Sequence, residues 1–435
     1  MARGIWHEEA DLIVVGASVG GLAAAVIAAD RGCRTILIER GKELGGGAAN
    51  ESEALAAAGT RFQDAAGIGD APDRLVTDVV AAGAQVDADV ARAAAEQGAP
   101  VVAWLADRCG VPITLLPATV RGHSVARLHS PGERGGARLI AELARAATRH
   151  SRVSVRTGAP VERIVRDESG AVRGVGVRGD RRGAVHALGG SVLLASGGFA
   201  ADEALVREHC PGVADLPYAG GPGATGDTLR LAGDVGAATH RLDSCLVTPF
   251  LATPSQLVVS TPLVDLGAVV VNQTGRRFAD GGDLAATVRA QPGHVAYLLF
   301  DERIAAVARA ADPFFAHVVL PRAGRRGATL ENLAKQLELN AEGLHATADS
   351  MAQAEPPWHA IRVTGARWRT LGGLAVDATA RVLNAERAPI PNLYATGGAA
   401  AALGVLAGMD ALASLAFARL AALDVASHLA GEDEG

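Results

Sequence analysis

The first forty residues alternate between short apolar runs and one alanine-rich stretch. Residues 11–15 form an apolar run typical of a buried parallel strand, and residues 22–30 predict a helix that ends at Gly32. Residues 35–39, TILIE, are rich in β-branched side chains and predict a second strand. Together they make a βαβ unit of about 30 residues, which is the usual size of such a unit.

The same patterns continue along the chain. Helices are predicted at 75–110, 133–149 and 410–429. Two strands are predicted on either side of a turn at 168–170, and a further strand is predicted at 191–199. A helical hairpin is predicted at 329–353, with Thr329 as the N-cap of its first helix. Residues 233–361 contain more prolines and strand-like runs such as GAVVVN and AYLLFD. The sequence therefore predicts an α/β fold in which residues 1–232 and 362–435 form a Rossmann-like nucleotide-binding domain and residues 233–361 an inserted α+β capping domain.

Composition and charge exclude nucleic acid as a partner. Of the 435 residues, 49% are hydrophobic, 20% are charged and 3% are aromatic, and the net charge is −6. Clustered positive charge and stacking aromatics, which nucleic-acid binding requires, are therefore not expected. A large hydrophobic core and a small-molecule substrate are expected instead.

The cysteines and the N-terminus indicate a cytoplasmic protein. The four cysteines are far apart and form no CxxC, which excludes the usual iron–sulfur, haem c and zinc-ribbon spacings, so no metal site is expected. The start, MARGIWHEEADLIVV, carries acidic residues where a signal peptide needs a basic segment. Residues 388–409 lack formal charge, but their prolines and glycines exclude a lipid-exposed helix, so no membrane span is expected.

The stretch VVGASVGGLAAAV after the first strand resembles a dinucleotide fingerprint with one departure. Gly16 would make the tight turn, Gly21 would allow the helix to pack on the strand, and Glu39 would accept the ribose hydroxyls. Ser18 stands where the second glycine of the fingerprint would approach the pyrophosphate. Serine is small, and its hydroxyl can donate a hydrogen bond to a phosphate. Gly20, close to it in sequence, adds conformational freedom. We therefore expect the site still to bind a dinucleotide.

Further glycine turns indicate FAD. Glu39 and Arg40 are followed by a triple-glycine turn that would let the backbone approach a flavin ring, and ASGGF and ATGG add two more turns after strands. The remaining predicted cofactor contacts are Gly45, Gly46, Gly47, Val161, Ser196, Gly197, Gly198, Asp227, Gly397 and Gly398.

In order along the chain, these motifs resemble the FAD-dependent family of fumarate reductases and 3-ketosteroid dehydrogenases. The matching segments are GATGDTLRLAGDVGA, VVVNQTGRRF, AYLLFD, TLENLAKQLELNAEGLHAT, TLGGLAVDATARVLNAERAPIPNLYATGG and LAFARLAALDVA, and GTRFQDAAG is similar to the ketone-desaturating branch. The resemblance implies a substrate held between the two domains and hydride transfer to flavin N5. No histidine lies between Gly16 and Pro100, so the FAD is expected to be non-covalent.

The sequence departs from the fumarate-reductase pattern at its charged positions. At the position of the family's proton-donating arginine this chain has Gly281 or a near neighbour, and at about the position of its substrate-binding arginine it has Val405. Where the family has a histidine, this chain has Arg369. Only SVARLHSP keeps a family histidine, His129, with Arg127 before it. Reduction of fumarate is therefore not expected, because an aliphatic side chain cannot replace a guanidinium on a carboxylate.

The predicted catalytic residues are His129, Arg127, Arg369 and Tyr218. Arg369 can hold a carboxylate or a ketone oxygen, or simply form an ion pair, and Tyr218 precedes a glycine loop expected near the flavin. Tyr297 and Tyr394 are interpreted as structural. Asp410 is interpreted as an acid at the start of the last helix, with a role as a base left open, and His123 is the other loop histidine beside SVARL.

The sequence thus predicts an FAD-dependent dehydrogenase or reductase acting on a C–C bond next to a carbonyl, in a small cyclic ketone or keto acid. The alternatives are an FAD-binding protein in which the flavin supports non-redox chemistry, and a binding protein that kept only the fold. The electron acceptor is not identified by the sequence.

Overall fold

The computed structural model describes residues 7–83, 87–178, 185–260, 262–279, 284–351, 353–401, 403–404 and 406–432. Its helices are α1 Val19–Asp30, α2 Arg61–Ala65, α3 Pro72–Ala81, α4 Ala88–Glu96, α5 Gly98–Asp107, α6 Gly136–Arg149, α7 Glu203–His209, α8 Asp227–Gly233, α9 Leu284–Arg289, α10 Glu302–Ala311, α11 Leu320–Ala323, α12 Leu330–Leu337, α13 Ala341–Ala348 and α14 Met409–Glu432.

The strands are β1 Glu8–Val15, β2 Thr35–Ile38, β3 Leu55–Ala56, β4 Thr114–Leu115, β5 Leu128–Ser130, β6 Val153–Arg156, β7 Val161–Arg166, β8 Val172–Arg178, β9 Val185–Leu194, β10 Thr239–His240, β11 Cys245–Ala252, β12 Leu257–Val258, β13 Val269–Val271, β14 Arg277–Ala279, β15 Ala296–Asp301, β16 Gly324–Gly327, β17 Trp358–Thr370, β18 Gly373–Leu374, β19 Arg381–Leu383 and β20 Pro389–Ala395.

The first sheet is built from both ends of the chain. Its order is β19-β20-β9-β1-β2-β6, and β1 pairs in parallel with both β2 and β9, while β20 pairs in parallel with β9. Strands β7 and β8 extend this sheet as an antiparallel hairpin. The predicted βαβ unit is thus confirmed, and the carboxyl ends of β1, β2, β9 and β20 meet at one edge, where α/β sheets bind their ligands.

Helix α1 lies in the middle of the core. Every residue from Val19 to Ala29 is buried, because the run of alanines allows neighbouring elements to approach from all sides. One of these neighbours is α14, the last helix of the chain. The first sheet is therefore covered by a layer that joins sequence positions about 400 residues apart.

A second sheet is formed by the middle of the chain, in the order β12-β11-β17-β15-β13-β14 with β16 on β17. It has its own apolar cores, one on each face, around Phe300 and Leu333. The predicted boundary at 361 lies within the long strand β17, so the backbone returns to the first sheet only after Thr370. A small third sheet, β3-β5-β4, brings the segment after the glycine turns against β5.

Three predicted elements differ in detail. The helical region at 75–110 consists of α3, α4 and α5, and the apolar run after residue 152 divides into β6 and β7. The uncharged stretch at 388–409 contains β20 and a short 3-10 turn, Gly397–Ala399, before α14 begins at Met409. In the part of the chain that the structure describes, no helix is both long and apolar enough to cross a bilayer.

Candidate active site

A cleft opens at the carboxyl edge of the first sheet. It encloses about 1510 Å³ including its solvent-open mouth, and it lies where β1, β2, β9 and β20 end. Of the predicted cofactor contacts, those that line it are Gly16, Ser18, Glu39, Arg40, Gly45, Gly46, Gly47, Val161, Ser196, Gly197, Gly198, Asp227, Gly397 and Gly398. Segments far apart in the sequence thus converge on one elongated groove.

Gly20 and Gly21, unlike the other predicted cofactor contacts, do not line the cleft. A Cβ on Gly21 would lie 2.0 Å from the carbonyl oxygen of Gly16, and one on Gly20 would lie 2.7 Å from Ser414 Oγ. Both positions are buried in α1. These glycines allow α1 to pack closely against the turn and against α14, which is a structural role.

Ser18 is the N-cap of α1. Its Oγ accepts a hydrogen bond from the backbone N–H of Gly21 at 3.3 Å, and its backbone is extended. A hydroxyl that accepts a hydrogen bond keeps its own hydrogen, which is free to donate into the cleft. The serine therefore caps the helix while its hydroxyl faces the region that a pyrophosphate would occupy.

The Glu39 carboxylate is held in place by two backbone donors. Oε2 accepts from the N–H of Ala17 at 2.9 Å and Oε1 from the N–H of Gly41 at 2.7 Å. Each oxygen keeps a lone pair for a further donor, such as a ribose hydroxyl. Next to it, Arg40 donates to Asp227 Oδ2 at 2.7 Å and to Thr225 Oγ1 at 2.8 Å, which ties the loop before α8 to the cleft.

The triple-glycine turn fits a cofactor that lies against bare backbone. Gly45 has a φ of +116°, and a Cβ there would lie 2.5 Å from Ile140 Cγ2. A Cβ on Gly47 would lie 2.6 Å from the backbone nitrogen of Gly221. Any side chain at these positions would fill the groove or strain its wall, so the residues present fit an FAD molecule.

Past the glycine turns, the cleft contains a charged cluster around Arg369. The guanidinium pairs with Glu51, with Glu53 Oε1 at 3.0 Å and with Asp410 Oδ2 at 3.6 Å, and it lies over the ring of Trp368. The strand β17 carries Arg369 and Trp368, and the loop before β3 carries both glutamates. Among the described residues, three carboxyl groups therefore share one cation at the wall of the cleft.

Burial and crowding disfavour full ionisation of this cluster. The Glu53 side chain is 5% exposed, and desolvation together with the nearby Asp410 raises its pKa to about 8. Burial also raises the pKa of Asp410, although Arg369 opposes this shift. Near neutral pH the raised pKa values favour a proton held within the pair of Glu53 and Asp410.

Tyr218 also lies in the wall of the cleft. Its hydroxyl donates to the carbonyl oxygen of Gly221 at 2.9 Å, and the guanidinium of Arg367 lies 6.0 Å from the centre of its ring. Burial raises the pKa of Tyr218 to about 12. The phenol is therefore protonated at neutral pH and can donate a hydrogen bond.

Arg127 and His129, which the sequence predicts as catalytic residues, lie outside the cleft. Arg127 is fully buried and pairs with Asp70 at 3.0 Å and Asp78 at 2.8 Å. His129 is also buried; its Nδ1 donates to Arg127 O at 2.9 Å, and its Nε2 accepts from Thr60 Oγ1 at 2.8 Å. Neither residue lines the cleft, and burial lowers the pKa of His129 and keeps it neutral.

The other candidates are structural or lie outside the described residues. The Tyr394 hydroxyl donates to Asp424 at 2.8 Å, and Tyr297 is a buried residue of β15. His123 contacts the carbonyl oxygen of Ala407 at 3.0 Å. Gly281 and Val405, where the family arginines fall, are outside the described ranges.

Sequence reasoning missed Glu51, Glu53 and Trp368. The available signal was NESE, two acidic residues in an otherwise small and apolar stretch directly after the glycine turn. No local pattern connects that stretch with β17, which lies about 316 residues further along the chain. Within the described ranges, no group of three or more His, Cys, Asp or Glu side chains is arranged to hold a metal ion.

The chain is similar to several curated proteins. It is 29% identical to NADH:fumarate oxidoreductase of Klebsiella pneumoniae (strain 342), over 89% of this chain and 44% of that protein, so it spans less than half of that relative's length. It is 29% identical to fumarate reductase (cytochrome) of Shewanella frigidimarina, over 90% of this chain and 72% of the relative. It is 25% identical to 4-oxocyclohexanecarboxylate 2-dehydrogenase of Sinomonas cyclohexanicum, over 98% of this chain and 94% of the relative.

The fold is similarly shared. The open conformation of a flavocytochrome c3 fumarate reductase superposes with a TM-score of 0.82 at 26% identity, covering 98% of this chain and 79% of the other. A 3-ketosteroid Δ1-dehydrogenase from Sterolibacterium denitrificans, at 21% identity and a TM-score of 0.71, shares the fold, covering 97% of this chain and 100% of that chain. Residues 11–415 match the family model described as FAD binding domain. The chain therefore belongs to this family of FAD-binding flavoproteins, and its cofactor is FAD.

Proposed function

We propose that the protein is an FAD-dependent oxidoreductase that desaturates or reduces a C–C bond next to a carbonyl, with a small cyclic ketone as its substrate. One observation carries the proposal: the cofactor-binding glycine turns and the cluster of Glu53, Arg369 and Asp410 line the same cleft. When bound, FAD supplies the hydride acceptor or donor. The side chains beside it supply groups that can bind a carbonyl oxygen and exchange a proton.

The charge of the site favours a neutral substrate. Arg369 already pairs with Glu51 and Glu53, and Asp410 is 3.6 Å away. A substrate carboxylate would have to displace those partners and would be repelled by the third carboxyl group. Because a charged hydrogen bond contributes about 1.5–3 kcal/mol, this competition is a substantial cost for a dicarboxylate such as fumarate. We therefore favour the ketone over the keto acid.

The carbonyl oxygen of such a ketone needs a hydrogen-bond donor. We propose Tyr218 for this role, because its protonated hydroxyl lies in the cleft wall beside the 220–224 loop. Its single hydrogen is donated to Gly221 O at 2.9 Å, so the O–H would have to rotate from that carbonyl to the substrate oxygen. Arg369 is proposed as a positioning residue that holds Glu51 and Glu53 in place. The named activity of the Sinomonas relative, on a ring ketone that also carries a carboxylate, supports a ring ketone as substrate, while the preference for a neutral one rests on the charges around Arg369 alone.

The test is anaerobic flavin reduction. Purified holoenzyme is mixed with cyclohexanone, 2-cyclohexenone, 4-oxocyclohexanecarboxylate, succinate and fumarate. Flavin absorbance is followed with each saturated compound, and reoxidation of photoreduced enzyme is followed with each unsaturated compound. We expect turnover with the neutral ring compounds and a smaller response, or none, with the carboxylates.

Two outcomes would contradict the proposal. Equal or faster reaction with fumarate or succinate would overturn the argument from charge. No change in flavin absorbance with any compound would overturn the redox reading. Conversion of an enone without flavin reduction would instead support the non-redox alternative.

A further inference from the structure

We propose that the carboxyl group of Glu53 exchanges the proton at the substrate carbon next to the carbonyl. This inference deepens the proposed function and rests on it. It assigns the acid–base role to a residue of the loop that follows the flavin-binding glycines, rather than to a side chain of the second sheet.

The position of Glu53 suits this role. It lines the main cleft and also a smaller adjoining cavity that reaches Val258 and Ser260 of the second domain. A substrate enclosed between the two domains would therefore meet its carboxyl group. The side chain is nearly fully buried, yet it faces these two cavities, so it can hold a proton away from bulk water while still reaching a ligand.

Glu53 is one of nine described non-glycine residues with a positive φ, and among them it is the one that lines the main cleft. Its φ of +47° is in the left-handed region, which non-glycine residues adopt only at a cost of roughly 1–2 kcal/mol per residue. Such strain persists where the surrounding structure holds a side chain in a particular place, and it concentrates at functional sites. The conformation points the glutamate toward Arg369 across the cleft.

Glu53 is the member of the cluster with free capacity. Glu51 Oε1 accepts from Trp368 Nε1 at 3.1 Å, whereas its Oε2 forms an ion pair with Arg369 but is fully buried and makes no hydrogen bond. Among the described contacts, Glu53 is engaged only through Oε1, at 3.0 Å from Arg369. Its second oxygen is therefore available to a substrate hydrogen.

The charged groups that face Glu53 make it a reversible proton carrier. In the described part of the chain these are Glu51 from its own loop, Arg369 from β17 and Asp410 from the start of α14. The neighbouring carboxyl groups favour the protonated acid, and the guanidinium favours the carboxylate. These opposing effects bring the two states close in free energy near neutral pH, which suits proton transfer in either direction.

In the desaturation direction the balance is complete. The C–H bond at the carbon next to the carbonyl breaks, and its proton forms an O–H bond with the Glu53 carboxylate. The electron pair that is released becomes part of the new C=C bond, and a hydride leaves the adjacent carbon to reduce oxidised FAD. In the reduction direction the protonated acid returns the proton to the same carbon.

The proton step can be measured apart from the redox step. In holoenzyme reduced with dithionite, a saturated ketone has no hydride acceptor, so only exchange of its α-hydrogens with D₂O remains. We compare wild type, Glu53→Gln and Glu53→Asp by NMR of cyclohexanone. Glu43→Gln is the matched control, since Glu43 lies in the same loop region, is exposed and does not line the cleft.

We expect Glu53→Gln to slow α-exchange at least ~100-fold, in the range of lost acid–base catalysis. Glu53→Asp should keep part of the rate, and Glu43→Gln should equal wild type. Flavin content and ketone affinity should change less than ~3-fold in all variants, because the role is in proton transfer. Exchange by Glu53→Gln at the wild-type rate would overturn the inference.

The failure of the proposed function is distinguishable from this outcome. If wild type neither exchanges the α-hydrogen nor shows flavin bleaching with any ketone, the proposed function and this inference both fall. If wild type bleaches and Glu53→Gln exchanges normally, only the role of Glu53 falls. Should Glu53→Gln lose its flavin, Glu53→Ala is assayed with added formate: a rate that rises with formate supports the inference, and a flat rate overturns it.

Discussion

Replacing Glu53 by glutamine should remove a pH dependence of stability that the wild-type protein carries. The substitution keeps the size of the side chain and removes its ionisation. In the folded protein, burial and Asp410 raise the pKa of Glu53 from 4.5 to about 8. In the unfolded chain the same carboxyl group returns to its ordinary value.

The sign and size follow from proton linkage. Between pH 4.5 and about 8 the folded state keeps a proton that the unfolded state has released, so the free energy of unfolding falls as pH rises. The slope reaches ~1.4 kcal/mol per pH unit, which amounts to roughly 5 kcal/mol over the window if Glu53 titrates alone. Because Asp410 shares the proton, we take about 2 kcal/mol as the smallest effect consistent with the reasoning.

The assay is urea denaturation of wild type and Glu53→Gln at several pH values between 5 and 8.5, with excess free FAD and flavin fluorescence as the readout. The excess FAD keeps the contribution of cofactor binding to the free energy of unfolding equal between the variants. We expect Glu53→Gln to be close to wild type at pH 5 and increasingly more stable than wild type toward pH 8. Glu43→Gln should follow wild type throughout. Parallel curves for wild type and Glu53→Gln would refute the assignment of the buried proton.

Three further predictions concern the cofactor groove and the buried ion pairs of Arg127 with Asp70 and Asp78. Ser18→Ala should lower the free energy of unfolding by about 0.5–2 kcal/mol, whereas Ser18→Gly should lower it by only a few tenths of a kcal/mol. Chemical denaturation measures both changes, and equal losses in the two variants would contradict the N-cap role. Gly47→Ala should reduce bound FAD at least ~10-fold, measured as flavin absorbance per protein, because its Cβ would lie 2.6 Å from the Gly221 backbone. Arg127→Met should destabilise the fold by about 3–5 kcal/mol, because it leaves two aspartates without their buried cation. The rate of flavin reduction in the folded fraction should stay unchanged. Loss of flavin reduction in a stably folded variant would instead support a catalytic role for Arg127.

The cofactor half of the site could be predicted from sequence because its chemistry is local. A strand, a glycine turn and a helix N-terminus are consecutive in the chain, and Glu39 follows at the end of the next strand. Each of these positions has a backbone requirement that restricts the residue type, as Gly45 shows with its φ of +116°. Of the predicted cofactor contacts, all but Gly20 and Gly21 therefore line the groove.

The substrate half could be predicted only in part: Arg369, Tyr218 and Asp410 were singled out from the sequence and line the cleft, but Glu51 and Glu53 were not, because their placement depends on tertiary contacts. Glu53 and Arg369 form their pair only after the second sheet has returned the chain to the cleft. A motif match transfers a residue type but not its surroundings, and His129 illustrates this: the same histidine that fits a family pattern is used here to bridge Thr60 and a backbone carbonyl. Only the packed structure distinguishes those uses.

The pairing of α14 with α1 has a consequence for how the protein matures. The wall of the groove includes Gly397 and Gly398 and also Phe417 of α14. The groove is therefore complete only after α14 has packed against α1. During synthesis a ribosome still covers this segment when the N-terminal glycine turn has long emerged. Flavin capture must therefore wait until the α14 segment has left the ribosome, and nascent chains that stall before residue 417 should be colourless.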